Sequence, residues 1–178
     1  LKVIMQDIGE AQVERGLTTI AGSLDRLIKK DKISEQDKQS TLANISTTTA
    51  LADLADTDIV IEAATENEVI KLDIFRQLDE LCQPHTILAS NTSSISLTRI
   101  AGATQRAEQV IGMHFMNPVP VMALVEVIRA LQTSDATFQT STRASVLFLA
   151  MSSANSSAKF PSKQRTARGL SPIASSYR

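Results

Sequence analysis

The chain has little of several residue types, and each shortage excludes a class of protein. Its 178 residues include no tryptophan, one tyrosine and a single cysteine, Cys82, so no disulfide can form within the chain. No apolar run reaches the roughly 20 residues of a transmembrane helix, and no signal-peptide pattern opens the sequence. Hydrophobic residues nevertheless make up 43% of the chain and charged residues 21%, which is typical of one globular domain with a substantial core.

Acidic residues are missing from the last quarter of the chain. All 19 of them lie at or before Asp135. The formal net charge of −1 is therefore the sum of −7 for residues 1–135 and +6 for residues 136–178. The last 28 residues also contain eight serines. Such an abrupt change is typical of a tail, a linker or a segment of different origin. We therefore divide the chain into a body, residues 1–136, and an atypical serine-rich basic tail, residues 137–178.

The body alternates short apolar runs with amphipathic helical patterns. Runs rich in valine and isoleucine predict strands at residues 1–5, 58–64, 86–90, 109–115 and 124–128. Apolar residues at helical spacing predict helices at 10–30 and 68–81, and Ser34 begins a capped helix between them. This order predicts βαβ units, and hence an α/β fold with a mostly parallel sheet covered on both faces. In such sheets ligands bind at the carboxyl ends of the strands, where we look for functional residues.

Asp7 closes the first predicted strand. In a dinucleotide-binding fold, an acid at the end of the second strand accepts hydrogen bonds from the adenosine ribose hydroxyls, although an ordinary surface aspartate would look the same. The sequence contains no G-x-G-x-x-G phosphate loop. If Asp7 is the ribose acid, we expect the first strand and its glycine-rich loop to lie before Leu1.

Ser90-Asn-Thr-Ser-Ser follows another predicted strand and offers several hydroxyls and an amide. The alternative is an ordinary polar loop or a helix N-cap, since serine and threonine favour both. His85, beside Pro84, is interpreted as a surface residue.

His114 ends the strand at 109–115, and Glu126 lies among valine and isoleucine in the strand that follows. An unpaired carboxylate in apolar surroundings is costly, so Glu126 needs a partner, and the turn between the two strands can return it to His114. A carboxylate that holds one imidazole nitrogen leaves the other as an oriented general base. The alternative is a purely structural pair.

Three segments of the body resemble the 3-hydroxyacyl-CoA dehydrogenases. They are Asp58-Ile-Val-Ile-Glu-Ala-Ala-Thr-Glu-Asn, Ile87-Leu-Ala-Ser-Asn-Thr-Ser-Ser-Ile-Ser and the run from Ile111 to Ile128, which contains His-Phe-Met-Asn-Pro. The likeness extends from Leu1 to about Thr137 and is strongest to the 3-hydroxybutyryl-CoA branch of the family. It implies an NAD-binding, Rossmann-like doubly wound α/β sheet, here expected to lack its first strand, its glycine-rich loop and the C-terminal helical domain.

The resemblance also implies roles for individual residues. His114 and Glu126 match the catalytic base and its orienting carboxylate, while Ser93 and Asn117 match substrate-binding positions. The positions that match the NAD site are Asp7, Glu66, Lys71 and Asn91. The implied reaction is the NAD-dependent oxidation of an (S)-3-hydroxyacyl-CoA to the 3-oxoacyl-CoA, in fatty acid or butanoate metabolism, with His114 taking the proton of the 3-hydroxyl.

Further expectations follow from the same resemblance. It implies an acyl-CoA substrate, no metal, no nucleic-acid or membrane partner, a cytoplasmic or (in a eukaryote) mitochondrial location, and a parent protein that is a homodimer through its helical domain. We expect the 178-residue chain by itself to be nearly inactive. The family usually has lysine where Ala123 stands, so the contact that this lysine makes is not expected in this chain. Two alternatives remain open, a non-enzymatic structural relative such as the lambda-crystallins and a dehydrogenase of another hydroxy-acid class, many of which use lysine as the base.

The tail departs from the family, which continues with Leu-Gly-Lys-x-Pro-Val and then Asp-Ser-Pro-Gly-Phe-Val-x-Asn-Arg. Codons can be chosen for residues 165–178 that, in another frame, encode Asp-Ser-Pro-Gly-Phe-Val-Ala-Asn-Arg-Ile-Leu, and residues 156–162 permit Leu-Gly-Lys-(Ile/Val)-Pro-Val. We therefore hypothesise a reading-frame change between about Thr137 and Ser156. The alternative is a genuine serine-rich basic tail, disordered or membrane-associated. The coding DNA decides between them, since an intact frame with no family motif in the other frame excludes the frame change.

Overall fold

The computed structural model describes residues 1–152 apart from residues 120, 121 and 123. Strands and helices follow one another as β1 (Val3–Gln6), α1 (Glu10–Ile28), α2 (Glu35–Ala43), β2 (Ile45–Thr48), β3 (Ile59–Glu62), α3 (Glu68–Leu81), β4 (Ile87–Ser90), α4 (Leu97–Gly102), β5 (Val110–Phe115), β6 (Val125–Arg129) and α5 (Asp135–Ser152). The predicted α/β alternation is confirmed, and each predicted element lies within about two residues of its observed bounds. The elements β2, α4 and α5 were not predicted.

The strands form two hydrogen-bonded sheets. One contains β1 and β2 in parallel, and the other has the order β3-β4-β5-β6. Within the larger sheet β3, β4 and β5 are parallel, whereas β6 runs antiparallel to β5. The predicted mostly parallel sheet is thus confirmed, with β6 as its exception. In a doubly wound sheet the first strand lies between the second and the fourth. The second and fourth strands correspond to β1 and β3 here. Each of these two strands has one free edge, with which no strand in the described part of the chain pairs.

The core lies on the two faces of the β3–β6 sheet. All four residues of β4 are buried. On one face they meet side chains of α3 and α4 in a cluster that includes Phe75, Leu78, Leu88, Ile100 and Val110. On the other face two aromatic rings of α5 pack against the sheet, in a cluster of Phe138, Phe148, Ile87, Ala89, Ile111 and Met113. Helices therefore cover both faces, as the α/β pattern predicted.

Gly112 marks the closest approach between β5 and its neighbours. A Cβ atom at this position would lie 2.6 Å from Leu97 Cδ1 of α4 and 3.2 Å from Ile128 Cβ of β6. There is no room for a side chain, so the glycine lets α4 and β6 pack directly against the backbone of the strand that ends at His114.

Helix α5 crosses the boundary that the sequence suggested between body and tail. It begins at Asp135 and continues to Ser152, and beside Phe138 and Phe148 it buries the small polar residues Thr137, Ser141 and Ser145. The remainder of the predicted tail lies outside the described residues, as do the two segments on which the reading-frame hypothesis rests. Within the described ranges no helix is both long enough and apolar enough to cross a bilayer.

Candidate active site

Polar side chains gather where β3, β4 and β5 end, as expected for parallel neighbours. The three strands end at Glu62, Ser90 and Phe115. We call this region the polar edge and define it as residues 62–66, 90–94 and 114–117 together with Lys71 and Glu126. Most of the residues that the resemblance assigned to catalysis and to binding lie here.

His114 and Glu126 form a pair across β5 and β6. They stand directly opposite each other in the antiparallel register, and His114 Nδ1 lies 3.1 Å from Glu126 Oε2. The imidazole is 22% exposed and the carboxylate 40%, so the pair is accessible from solvent. Because the carboxylate holds Nδ1, Nε2 is the nitrogen available to exchange a proton with a ligand. The structure therefore brings together the two residues expected to be the base and its orienting carboxylate.

Asn91 links all three strands beside this pair. Its backbone N–H donates to the Glu62 carbonyl at 2.8 Å, and its side-chain Oδ1 accepts from the Phe115 N–H at 2.8 Å. These bonds extend the strand pairing past the last regular ladder position and fix the backbone next to His114. The Asn91 Nδ2 donors remain for another acceptor, which is compatible with the cofactor-binding role implied by the resemblance.

Glu66 is the centre of the turn at residues 92–94. Its Oε1 accepts four hydrogen bonds, from Thr92 Oγ1, the Ser93 N–H at 3.1 Å, and the N–H and hydroxyl of Ser94 at 3.2 and 2.9 Å. The hydrogen bond from Thr92, followed by those from Ser94 and by the nearby Lys71 ammonium, lowers the pKa of the Glu66 carboxyl to about 2. Glu66 is therefore ionised at neutral pH, and it holds the turn from which the exposed Ser93 projects.

Lys71 lies behind this turn, with its side chain 1% exposed. Its Nζ is 2.7 Å from Glu62 Oε1, 3.2 Å from the Ala64 carbonyl oxygen and 3.6 Å from Glu66 Oε2. Glu62 in turn accepts a hydrogen bond from the Ser90 hydroxyl at 2.7 Å through its other oxygen. Buried charges persist only with such partners. The structure thus joins Lys71 and Glu66, both predicted to line the NAD site.

From the sequence, Glu62 is a polar residue at a strand end with no particular role, and the structure places it, buried, at the centre of this cluster. The signal was present, because Glu62 interrupts the apolar run Ile-Val-Ile-Glu-Ala-Ala. A carboxylate in such surroundings needs a partner, which is the argument that singled out Glu126.

Asp7 lies at the end of β1, in the two-stranded sheet, away from the polar edge. Its Oδ1 accepts from the Ile8 N–H at 2.7 Å, and its own N–H donates to the Thr48 carbonyl. An open groove of about 530 Å³ lies beside it, lined by Glu10, Val13, Glu14, Leu17 and Thr47–Thr49. The exposed carboxylate at a strand end is where a ribose-binding acid is required.

The remaining predicted residues are placed as follows. Asn117 is exposed beyond the end of β5, and a cis peptide bond joins it to Pro118. His85 is exposed, which confirms its interpretation as a surface residue. Ala123, which stands where the family usually has lysine, lies outside the described residues.

Comparison with known proteins agrees with this geometry. The profile of the NAD-binding domain of 3-hydroxyacyl-CoA dehydrogenase matches residues 1–146. The 3-hydroxybutyryl-CoA dehydrogenase of Bradyrhizobium diazoefficiens is 48% identical over 139 residues, which are 78% of this chain and 47% of that protein. The corresponding protein of Clostridioides difficile is 46% identical over 138 residues, 78% of this chain and 49% of that protein.

Solved structures show the same relationship. The crystal structure of (S)-3-hydroxybutyryl-CoA dehydrogenase PaaH1 from Ralstonia eutropha has a TM-score of 0.81 and 55% identity to this chain, and the match covers 83% of this chain and 52% of that one. The chain thus spans about half the length of the relatives that it matches. The resemblance inferred from the three segments is confirmed, as is the α/β fold that it implied. The chain belongs to the 3-hydroxyacyl-CoA dehydrogenase family, in which it corresponds to the NAD-binding domain.

Proposed function

We propose that this chain supplies the NAD-binding half of a dehydrogenase that oxidises (S)-3-hydroxybutyryl-CoA, or a similar 3-hydroxyacyl-CoA, to the 3-oxoacyl-CoA. The observation that carries the proposal is the 3.1 Å contact between His114 Nδ1 and Glu126 Oε2 at the polar edge. The names of the similar proteins, which are 3-hydroxybutyryl-CoA dehydrogenases, support the substrate class and a place in fatty acid or butanoate metabolism.

The proposed chemistry needs a base with a fixed orientation. His114 Nε2 accepts the proton of the substrate 3-hydroxyl while the carbinol carbon becomes a carbonyl. NAD, when bound, accepts the hydride that leaves this carbon. The Glu126 carboxylate stabilises the imidazolium that forms, and in the reverse direction His114 returns the proton to the carbonyl oxygen. Ser93 and Asn117, both exposed at the same edge, are proposed to orient the substrate oxygen by hydrogen bonds.

Of the adenosine ribose, the pyrophosphate and the nicotinamide half of NAD, the described residues fit the first and the last. Asp7 is available to the adenosine ribose, and Glu66, Lys71 and Asn91 lie at the polar edge where the nicotinamide half is expected. The pyrophosphate has no glycine-rich loop among the described residues, and the free edges of β1 and β3 flank the place where the first strand and its loop would stand. The parent enzyme is proposed to be cytoplasmic, since the relatives named above are bacterial. That it is a homodimer through its helical domain is proposed from the family resemblance alone.

The catalytic role of His114 is best tested inside an active protein, because the 178-residue chain alone is expected to turn over little substrate. Residues 1–137 replace the matching segment of the Bradyrhizobium relative, whose remaining chain is kept. The chimera is expected to oxidise (S)-3-hydroxybutyryl-CoA, and His114→Ala is expected to lower kcat about 10²–10⁴-fold, the usual contribution of a general base.

NADH affinity provides the control for this experiment. It should change little in the His114→Ala chimera, and His85→Ala, which alters an exposed histidine, should leave both kcat and affinity unchanged. A His114→Ala chimera with undiminished kcat would contradict the proposal. Rapid turnover by the isolated 178-residue chain would instead overturn the expectation that this half of the enzyme is nearly inactive alone.

A further inference from the structure

A continuous line of contacts runs from the end of β3 to the turn that carries Ser93. Ser90 Oγ donates to Glu62, Glu62 pairs with the Lys71 ammonium, and Lys71 pairs with Glu66. Glu66 then accepts four hydrogen bonds from residues 92–94. These contacts therefore hold both ends of residues 90–94, which we call the Ser93 turn.

The Lys71 ammonium is held by three neighbouring oxygens in this arrangement. Its three N–H donors face two hydrogen-bond acceptors and the second carboxylate, and its side chain is almost completely buried. One ammonium serves two carboxylates here, so removing it would leave Glu62 buried without a cation and would weaken the charge that holds Glu66. Lys71 thus acts on its surroundings through Glu62 and Glu66.

We propose that Glu62, Lys71 and Glu66 form a relay that positions the Ser93 turn, so that the buried Glu62 influences substrate binding without touching substrate or cofactor. The inference rests on the proposed function for the statement that Ser93 contacts substrate. Glu62 is a positioning residue, and Lys71 and Glu66 position the turn in addition to their proposed place in the NAD site. The Ser93 side chain is exposed while its backbone N–H is bound to Glu66, so the relay orients the residue and leaves its hydroxyl for the ligand.

The competing explanation is a buried ion pair that stabilises the fold and nothing more. A stabilising pair affects all protected amides together, since its loss raises the population of globally unfolded chains. A relay affects the Ser93 and Ser94 amides, which donate to Glu66, more than amides in the β4–β5 ladder. Residue-resolved amide exchange of the full 178-residue chain, measured by NMR without cofactor, separates the two.

The first variant is Glu66→Gln, which keeps the shape of the side chain and removes its charge. We expect the Ser93 and Ser94 amides to exchange about tenfold faster or more, the factor associated with losing a hydrogen bond to a charged acceptor. The Leu88 and Val110 amides should be unchanged. The matched control is Glu68→Gln, because Glu68 lies two residues further along, at the start of α3, but pairs with Arg99 at 2.8 Å and should not affect the turn.

The second variant tests the buried part of the relay. Lys71→Met alone leaves Glu62 unpaired and is expected to lower the Tm strongly, whereas Glu62→Gln combined with Lys71→Met removes both charges and should recover most of that loss. In the double variant the Ser93 and Ser94 amides should still exchange faster than in the natural chain. The relay is overturned if the Ser93 and Ser94 amides exchange at the same rate as in the natural chain, either in the double variant or in Glu66→Gln.

A binding measurement connects the relay to substrate. In the natural chain, (S)-3-hydroxybutyryl-CoA is expected to shift the Ser93 amide signal, and the Kd from this shift should rise in Glu66→Gln and in the double variant but not in Glu68→Gln. Unchanged Kd values in the first two variants would contradict the relay. If the natural chain shows no shift at all, the KM of the chimera described above replaces the Kd, and an unchanged KM in Glu66→Gln contradicts the relay. The proposed function is tested separately by the kcat of the His114→Ala chimera.

Discussion

The two sheets of this molecule differ in how their polar groups are held. In the β3–β6 sheet every residue of β4 is buried, and the side chains at its carboxyl edge are joined by short hydrogen bonds and ion pairs. In the β1–β2 sheet no strand residue is buried, and within the described part of the chain the Asp7 carboxylate bonds only to the backbone of the next residue. One sheet holds its functional groups in place before any ligand arrives, and the other does not.

This difference separates two tasks of the proposed dehydrogenase. Proton transfer requires a base and a substrate oxygen at fixed positions, and a packed sheet supplies such positions. Binding the adenosine ribose requires an accessible acid, which a lightly packed strand end can present. The contrast predicts that substitutions in the β3–β6 sheet lower the free energy of unfolding more than substitutions in the β1–β2 sheet.

The largest expected effect is at the centre of β4. Leu88 is completely buried, so Leu88→Ala should lower the free energy of unfolding by about 2–5 kcal/mol through lost burial and a cavity. Ile4→Ala in β1 is the matched variant, and it should cost much less because Ile4 is 37% exposed. Urea denaturation of both variants provides the measurement. Equal losses would mean that the two sheets are equally important to stability.

A smaller effect is expected between β5, β6 and α4. Gly112→Ala places a methyl group within 2.6 Å of Leu97 Cδ1, and such overpacking costs about 1–3 kcal/mol. Gly102→Ala is the control, because nothing lies within 4 Å of a Cβ atom at that position. Thermal denaturation should show a lower Tm for Gly112→Ala alone. An unchanged Tm would show that β6 and α4 shift to accommodate the methyl group, which a rigid site would not allow.

The next effect lies on the side of the molecule formed by α1, α2 and β2. Ser34 and Asp37 form a capping box at the start of α2. Ser34→Ala removes that cap and should cost about 1 kcal/mol, whereas Ser40→Ala within the same helix should cost nothing measurable. Urea denaturation with both variants tests this. If Ser34→Ala has no effect, α2 contributes still less to the fold than the comparison implies.

The smallest effect concerns pH. The folded pKa of Glu66 lies at about 2, below the usual value of 4.5, so its hydrogen bonds add stability that is complete above pH 4.5 and is lost as the pH falls towards 2. Between pH 7 and pH 5 Glu66 should therefore add no pH dependence. Carbon NMR of its carboxyl group provides the measurement, and half-protonation near pH 4.5 would show that the turn does not hold Glu66.

The parts of the fold that the sequence predicts are those with a strong local pattern. The helix at 68–81 repeats apolar residues at helical spacing, and the strand at 58–64 is apolar except for Asp58 and Glu62, so both could be located. β2 reads Ile-Ser-Thr-Thr, α4 has six residues, and α5 mixes two phenylalanines with small polar residues on its inward face, so none of them carries such a pattern. Their structure depends on what they pack against.

The candidate site divides in the same way. His114 and Glu126 belong to neighbouring strands of one antiparallel pair, and a carboxylate among valines is an anomaly visible in the sequence. The hydrogen bonds between Glu66 and the Ser93 turn join residues 26 to 28 positions apart, through a turn whose geometry has no sequence signature. The resemblance assigned Lys71 to the NAD site, but only the structure shows that it is buried between two carboxylates.

The antiparallel direction of β6 has a consequence for how the family can vary. Because the register of β5 against β6 sets His114 opposite Glu126, the connection from residue 116 to 124 can gain or lose residues without separating them. A slip of one residue in β6 would instead turn Glu126 to the opposite face of the sheet. The His114–Glu126 pair is therefore inherited with the pairing of two strands, whatever the length of the connection between them.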